Sequence, residues 1–418
     1  MCIRYFAFGA LLFPLLGFAS QDTLRVTMRQ ADSLLQIRSL DLVVQRHEID
    51  KAEAERVQAR LFSNPQVGTE WSVNPPSGHF FDVGRNGEKA FTVEQLFQIA
   101  GQRSLAMKGA GKRVEMSTAE YAEFAAALRL RLHSALLQQF YSQRALDAIS
   151  SQMALFHTVV DAYGGQYEKG NISLKEVTRL RTTYFMLNDQ RLGLRKKLNE
   201  LQSDLRQLLA EERTVMAAPA PSELLPVLTI PPADSSLVHL AEGNRSLLQA
   251  AQANVDAREF DLTLNRRMNV PDLTIGGTYD QRSGYVPNYT GLTVGFSLPI
   301  FDRGQGRISR AKAELDQARA QLGSSRVSVR EEVLRASADL RMLQEQFAAV
   351  SPGFEEQLDQ LSESLIGNYT KSNISLLEFT DLFESYNTSI ITINAQKADL
   401  QNAYEELEFT TGQRLFDR

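Results

Sequence analysis

The stretch "GQYEKGNISLKEVT" occupies residues 165–178, and "GNYTKSNISLLEFT" occupies residues 367–380, 202 positions later, with nine of fourteen residues identical. Gly170 and Asn171 are turn formers, as are Ser372 and Asn373 in the second copy. The asparagines, and equally Ser173 and Ser375, suit the cap of a following helix. Behind the first copy, apolar residues fall at Val177, Leu180, Tyr184, Leu187, Leu194, Leu198, Leu201, Leu205 and Leu208, with Arg191 at the one missing seam position. Phe379, Leu382, Tyr386, Ile393, Leu400, Ala403 and Leu407 keep the same frame behind the second. Spacing by threes and fours is a coiled-coil seam, so each motif reads as the turn between two antiparallel helices. Turn geometry accounts for Gly and Asn. It does not dictate the repeated Tyr167/Tyr369, Lys169/Lys371 and Glu176/Glu378, which mark the tips as candidate functional surfaces.

The repetition extends well beyond the turns. "DKAEAERVQARLF" from Asp50 leads to "NPQVGTEWSV" from Asn64, and "QANVDAREFDLTLNRRM" from Gln252 leads to "NVPDLTIGGTY" from Asn269. Pro65 and Pro271 are 206 apart, close to the offset of the turns. Prolines cluster at a few places, and residues 77–218 contain none. The segment "APAPSELLPVLTIPPAD", ending at Asp234, reads as an extended linker. This predicts a first repeat over 20–213, a linker over 214–234 and a second repeat over 235–418. Each repeat should hold a helix, two short strands and a long helical region.

The strands alternate with period two. Val67, Thr69, Trp71 and Val73 share one face and Gln66, Gly68, Glu70 and Ser72 the other. Leu273, Ile275 and Tyr279 oppose Thr274, Gly276, Thr278 and Asp280, while Leu292, Val294, Phe296 and Leu298 oppose Thr293 and Ser297. A half-buried sheet in a soluble α+β protein has this pattern, and so has a membrane barrel with a lipid face and a polar lumen. Four strands cannot close a barrel alone, so a barrel would have to be shared among protomers. After each strand pair, Gly101 in the first half and Pro299, Gly304 and Gly306 in the second mark the passage from strand to helix. The helix starting near Arg103 runs for about 60 residues, roughly 90 Å, too long for a compact core.

Residues 1–19 carry one charge at Arg4, an apolar run and small residues at Gly17 and Ala19, the signature of a secretory signal peptide. No later stretch is long and apolar enough to span a bilayer as a helix. Cys2, the only cysteine, lies inside this leader, so the mature chain forms no disulfide and carries no N-terminal lipidated cysteine. Without Arg4, 44 basic residues face 50 acidic ones, interleaved along the chain, which does not suggest nucleic acid as a partner. His47, His79, His133, His157 and His239 form no paired metal or catalytic spacing, and the "GQG" at Gly304 is too short for a phosphate cradle. An enzyme is not expected.

These features resemble the TolC-like outer-membrane efflux family over essentially all of the mature sequence. The resemblance is carried by "SLPIFDRGQGRISRAKAEL" over 297–315, by its degenerate partner "LFQIAGQRSLA" from Leu96, and by the two tip turns. It implies a mainly α fold with a small β part, assembled as a homotrimer. Each protomer would give four strands to a twelve-stranded barrel in outer-membrane lipid and its helices to a periplasmic tunnel. The implied function is a passive exit duct, without cofactor or metal site, of a tripartite efflux system. The tips, at Lys169, Gly170, Asn171, Lys371, Ser372 and Asn373, would dock a periplasmic adaptor (membrane fusion protein) and an inner-membrane pump. The pattern is closer to the heavy-metal, cation-exporting branch than to the multidrug branch.

Two departures stand out: the absent lipidated cysteine, and Phe97 and Gln98 where the second half has Pro299 and Ile300, so the halves should leave the barrel differently. The family's constriction lies just inside the tips, where acidic residues ring the pore. Glu378 and Asp381 match it, on one helical face at i and i+3. Threefold symmetry would gather six carboxylates there, raising the pKa of some. The first-half counterparts are Glu176, which would join Glu378 and Asp381 at the aperture, and Arg179, so only the second copy has the double acid. Two acids on an amphipathic helix are also simply a solvated face. The alternative function is a soluble periplasmic coiled-coil adaptor or scaffold with the strands as a cap domain. Against it stands an aromatic and aliphatic strand face repeated in both halves beside Trp71, Phe91, Tyr279 and Phe296.

Overall fold

The same order of elements occurs twice along the chain. The computed structural model describes residues 23–73, 84, 87–224, 226, 229–284, 286–349, 353–371 and 373–416, so the leader over 1–19 lies outside the described residues. The first copy comprises β1 (Thr23–Val26), α1 (Met28–Arg38), α2 (Leu40–Arg60), β2 (Gln66–Trp71), β3 (Lys89–Phe97), α3 (Gln102–Glu168) and α4 (Leu174–Leu209). After β4 (Thr214–Ala217) come α5 (Asp234–Asn244), α6 (Ser246–Arg267), β5 (Leu273–Arg282), β6 (Pro287–Phe296), α7 (Gln305–Ala349), α8 (Phe354–Thr370) and α9 (Leu376–Thr411). No helix among the described residues is long and apolar enough to cross a membrane.

Where one helix was expected before each strand pair, there are two. The break falls at Ser39 in the first copy and at Arg245 in the second, 206 positions apart, with nearly the same backbone: φ −62°, ψ 116° and φ −66°, ψ 118°. Local periodicity does not register such a break, because the apolar spacing continues across it. Side chains hold it differently. The Ser39 hydroxyl accepts from Leu42 N–H at 3.5 Å. Arg245 is buried, donates to the Phe409 carbonyl, stacks 3.9 Å over the Phe409 ring, and pairs with Glu123 at 2.9 Å and Glu332 at 3.4 Å. Burial pushes the Glu123 carboxyl above its ordinary pKa against the opposing pull of Arg245.

The linker also differs from expectation. Its first residues form β4, which pairs in parallel with β1, with Val26 and Val215 buried. Gln139 of α3 takes the place of a third strand: its Nε2 donates to Val215 O at 2.7 Å and its Oε1 accepts from Ala217 N at 2.8 Å. The Pro-rich remainder is pinned, since Tyr404 Oη donates to Pro226 O at 3.1 Å and Gln344 donates to Thr229 O at 2.7 Å. The motif "TVMA" has strand alternation, but its partner lies about two hundred residues away.

The chain forms two compact units. One holds β1, α1, α3 from Leu132 onward, α4, β4, α8 and α9 as far as Ala398. Its core joins Ile149, Met153 and Phe156 of α3 with Leu180 and Leu187 of α4 and Phe379 and Phe383 of α9. The α4 seam residues Val177, Leu180, Leu187, Leu201, Leu205 and Leu208 are buried as their spacing requires. The other unit holds α2, α5, α6, α7, the start of α3, the end of α9 and the four-stranded sheet. There α6 lies along α7 through Val255, Leu262, Ala311, Leu315, Ala318 and Leu322.

The sheet is antiparallel, in the order β2-β3-β5-β6, so the two copies meet at β3 and β5. Register aligns Val67, Val93, Gly277 and Leu292 in one row, and Phe97, Leu273 and Phe296 in another. Cross-strand partners share a face, so one face is mainly aromatic and aliphatic, with Lys89 and Gln95 on it. The other carries Glu70, Thr92, Glu94, Thr274, Thr278, Asp280 and Thr293. Among the described residues nothing covers the apolar face, with Leu292 78% exposed, and β2 and β6 each leave one edge unpaired.

Removing Arg245 leaves Glu123 in a partly buried site without its cation. Arg245→Leu is expected to cost about 3–5 kcal/mol of stability. Thermal unfolding followed by circular dichroism checks this, and adding Glu123→Gln to the variant should recover part of the loss.

Candidate functional site

Each tip turn is built by the end of one helix and the start of the next. Gly170, at φ +76°, donates to Tyr167 O at 2.8 Å, and Asn171 N donates to Gln166 O at 3.0 Å. These two bonds satisfy the last carbonyls of α3 in a Schellman arrangement. The Asn171 side chain adds a bond to Gln166 Oε1 at 2.6 Å. In the second copy Asn373 N donates to Asn368 O at 2.9 Å, and its side chain reaches Asn368 Oδ1 at 3.2 Å. Ser372 lies outside the described residues. The asparagines therefore close the preceding helix and do not cap the following one. Lys169 and Lys371 are exposed beside them.

The caps are serines. Ser173 Oγ accepts from Glu176 N at 3.3 Å while Glu176 Oε2 accepts from Ser173 N at 2.8 Å. Ser375 and Glu378 repeat the box, at 3.2 Å and 2.8 Å. This reciprocal capping supplies a structural reason for a glutamate at both positions. The backbone N–H of the capping serine, aided by its hydroxyl, holds each glutamate carboxyl below its ordinary pKa. Within one protomer the shift of Glu378 is thus opposite to the rise that crowding in a threefold ring would produce.

Glu378 and Asp381 are both exposed on α9, on the side away from buried Phe379 and Phe383. Tyr369 is buried, stacked 4.3 Å from Phe379 and 5.9 Å from Tyr163, whereas its repeat counterpart Tyr167 is exposed. Burial raises the pKa of the Tyr369 phenol. The difference follows from the neighbour, because Phe379 stands where the first copy has Val177 and offers Tyr369 a ring to stack on. Two further bonds join the hairpins. Arg179 Nε donates to Thr380 Oγ1 at 3.0 Å, and Thr183 Oγ1 donates to Glu384 Oε1 at 3.0 Å. Their only sequence signal was a pair of threonines on the inward side of two apolar helices, both buried here.

At the strand-to-helix passages, Gly101 and Gly304 adopt φ +72° and +65° and accept the first helical bonds, from Leu105 N at 3.1 Å and Ile308 N at 2.8 Å. A Cβ on Gly304 would lie 2.7 Å from Asn269 Oδ1. Gly306 sits inside the first turn of α7 without a positive φ, and Pro299 lies between β6 and that turn. Among the described residues no group of His, Cys, Asp and Glu is arranged to hold a metal ion.

A family model described as "Outer membrane efflux protein" matches residues 32–211 and 237–364. The cobalt-zinc-cadmium resistance protein CzcC of Cupriavidus metallidurans is 24% identical over 320 residues, covering 75% of this chain and 73% of CzcC. Among solved structures, a membrane protein from Pseudomonas aeruginosa superposes with a TM-score of 0.75 at 16% identity, covering 92% of each chain. CusC gives 0.73 at 15% identity over 96% of each. The CmeC outer membrane channel of Campylobacter jejuni gives 0.75 at 12% identity, over 93% of this chain and 86% of that one.

The capping boxes make the tips acid-sensitive. Both glutamates have folded pKa values below 4.5, so their contribution is complete above that pH and is lost as pH falls through the lowered values. Amide protection factors at the two turns, that is exchange rates corrected for the intrinsic chemical rate at each pH, should fall on moving from about pH 6 to about pH 3, before protection along the buried seam does. Ser375→Ala should weaken the second tip by about 1 kcal/mol and flatten its acid response.

Proposed function

The chain belongs to the outer membrane efflux protein family and is an outer-membrane efflux channel, and on that premise we propose that three copies share one pore. The observation that carries the proposal is the four-stranded sheet with one apolar face, one polar face and two unpaired edges. In lipid an unpaired backbone edge is prohibitive, so β2 of one copy must meet β6 of the next. Three copies then supply twelve strands, with Trp71, Phe91, Val294 and Phe296 toward lipid and Glu70, Glu94 and Asp280 toward water. The two repeats, over 20–213 and 235–418 and joined across 214–234, give this barrel its approximate internal symmetry. A soluble adaptor or scaffold has no use for such a sheet. The family's description as an efflux protein supports transport as the activity.

The tips at Lys169, Gly170 and Asn171 and at Lys371, Ser372 and Asn373 are read as the docking surface for a periplasmic adaptor linked to an inner-membrane pump. Their exposed lysines and polar turns suit such contacts. Glu378 and Asp381 form the aperture, with the Arg179–Thr380 and Thr183–Glu384 bonds holding the hairpins together at rest. A carboxylate ring favours cations. The likeness to CzcC makes divalent metal ions the cargo we favour. The capped carboxyl of Glu378 stays ionised near neutral pH, which suits this role.

Outer-membrane fractions extracted in detergent test the assembly. A particle with the mass of three chains that opens conducting pores in a planar bilayer is expected, and a monomer without conductance would overturn it. In the same bilayers, Glu378→Ala with Asp381→Ala should raise resting conductance and lower the preference for cations over anions several-fold. Currents matching the unaltered channel would remove these acids from the aperture.

A further inference from the structure

Arginines collect where the helices meet the sheet, and among the described residues they have no carboxylate partners. Arg60 ends α2, Arg266 and Arg267 end α6, Arg103 begins α3, and Arg303 and Arg307 flank the start of α7. Contacts place these ends in one belt. Gln102 donates to Arg267 O at 3.3 Å, Arg307 lies 3.5 Å from Met268 Sδ, and Arg103 stacks 3.8 Å over the exposed ring of Phe62. None of the six forms an ion pair among the described residues, whereas arginines about one to three turns away on the same helices do. Arg113 pairs with Asp261 at 2.6 Å, Arg258 with Glu314 at 3.1 Å and Arg310 with Glu314 at 2.8 Å. Asp302, the nearest carboxylate in sequence to Arg303, instead accepts from Gly304 N at 2.8 Å.

Helix polarity sharpens the point. Arg60, Arg266 and Arg267 complement the negative ends of α2 and α6. Arg103, Arg303 and Arg307 stand at the positive ends of α3 and α7, where cations are disfavoured and where neither helix has an acid in its first turn. One guanidinium nitrogen of Arg103 is buried without a hydrogen-bond partner. Such a placement calls for an external anion. The surroundings indicate which one: the apolar sheet face ends in the row Phe97, Leu273 and Phe296, and just beyond it Ile300 and Phe301 project into solvent, Phe301 92% exposed. Apolar side chains beside unpaired arginines at the margin of a lipid-facing sheet are the chemistry of a headgroup layer.

We propose that this belt binds the phosphates of anionic phospholipids in the leaflet nearest the helices, through bidentate contacts from Arg303 and Arg307 together with Arg103. The proposal rests on the barrel reading, and a chain that yields no membrane-inserted trimer would fail that reading before any lipid is measured. The test uses the full-length trimer in detergent, mixed with micelles of phosphatidylglycerol or phosphatidylethanolamine, with retained lipid counted by native mass spectrometry. The unaltered trimer should retain phosphatidylglycerol preferentially. Arg303→Gln with Arg307→Gln should cut that retention several-fold while trimer mass, conductance and phosphatidylethanolamine retention hold. Arg303→Lys with Arg307→Lys should recover only part of it, and excess inorganic phosphate should not displace the lipid. Unchanged phosphatidylglycerol retention in the glutamine variant would overturn the proposal. So would loss of the trimer with retention per chain preserved, because the arginines would then serve contacts between subunits.

Discussion

Backbone hydrogen bonds left open at the two edges of the sheet are the constraint on which the rest of the structure depends. In water an unpaired edge is tolerable, but against lipid every N–H and C=O must find a partner within protein. A chain with four strands can meet that demand only by sharing its edges, and the sorting of side chains onto an apolar and a polar face is then required at every register position. The polar row at Glu70 and Asp280 and the apolar row at Val67, Val93 and Leu292 follow from the same pairing. A slip of one residue in any strand would turn its apolar residues toward water.

The sheet edge that the chain does close is handled by a side chain. The β1 and β4 pair ends against Gln139, whose amide offers the donor and acceptor that a further strand would have offered. Glu223 does the same for the start of α1, accepting from Met28 N at 3.2 Å and Arg29 N at 3.1 Å. Both devices satisfy orphan backbone groups over sequence separations at which no local pattern could announce them.

The two copies of the element order share backbone geometry more closely than packing. The breaks at Ser39 and Arg245 share their dihedral angles, yet one is held by a hydroxyl and the other by a buried guanidinium network. The tips share the same helix-closing bonds and capping boxes, yet Tyr167 faces solvent while Tyr369 is buried among rings. The continuous α3, with 67 residues, corresponds to the separate helices α7 and α8. Backbone closure depends on a few residue types that both copies retain, whereas packing responds to each neighbour separately.

The sequence by itself determined what depends on neighbours along the chain: the period-two strands, the three-and-four seam of α4, the turns at Gly170 and Asn373, and the repeat that relates them. The positions of Glu378 and Asp381 on one exposed helical face were legible for the same reason. Only the tertiary structure decided between serine and asparagine as the helix cap, since either side chain suits that site and only the path of the chain shows which one reaches the free N–H groups. It alone brought Arg179 to Thr380 and Thr183 to Glu384, paired β4 with β1, and left the arginines of the helix-to-sheet junction without an ion pair among the described residues. Periodicity reports which face of an element is apolar; what that face meets is set by contacts between residues hundreds of positions apart.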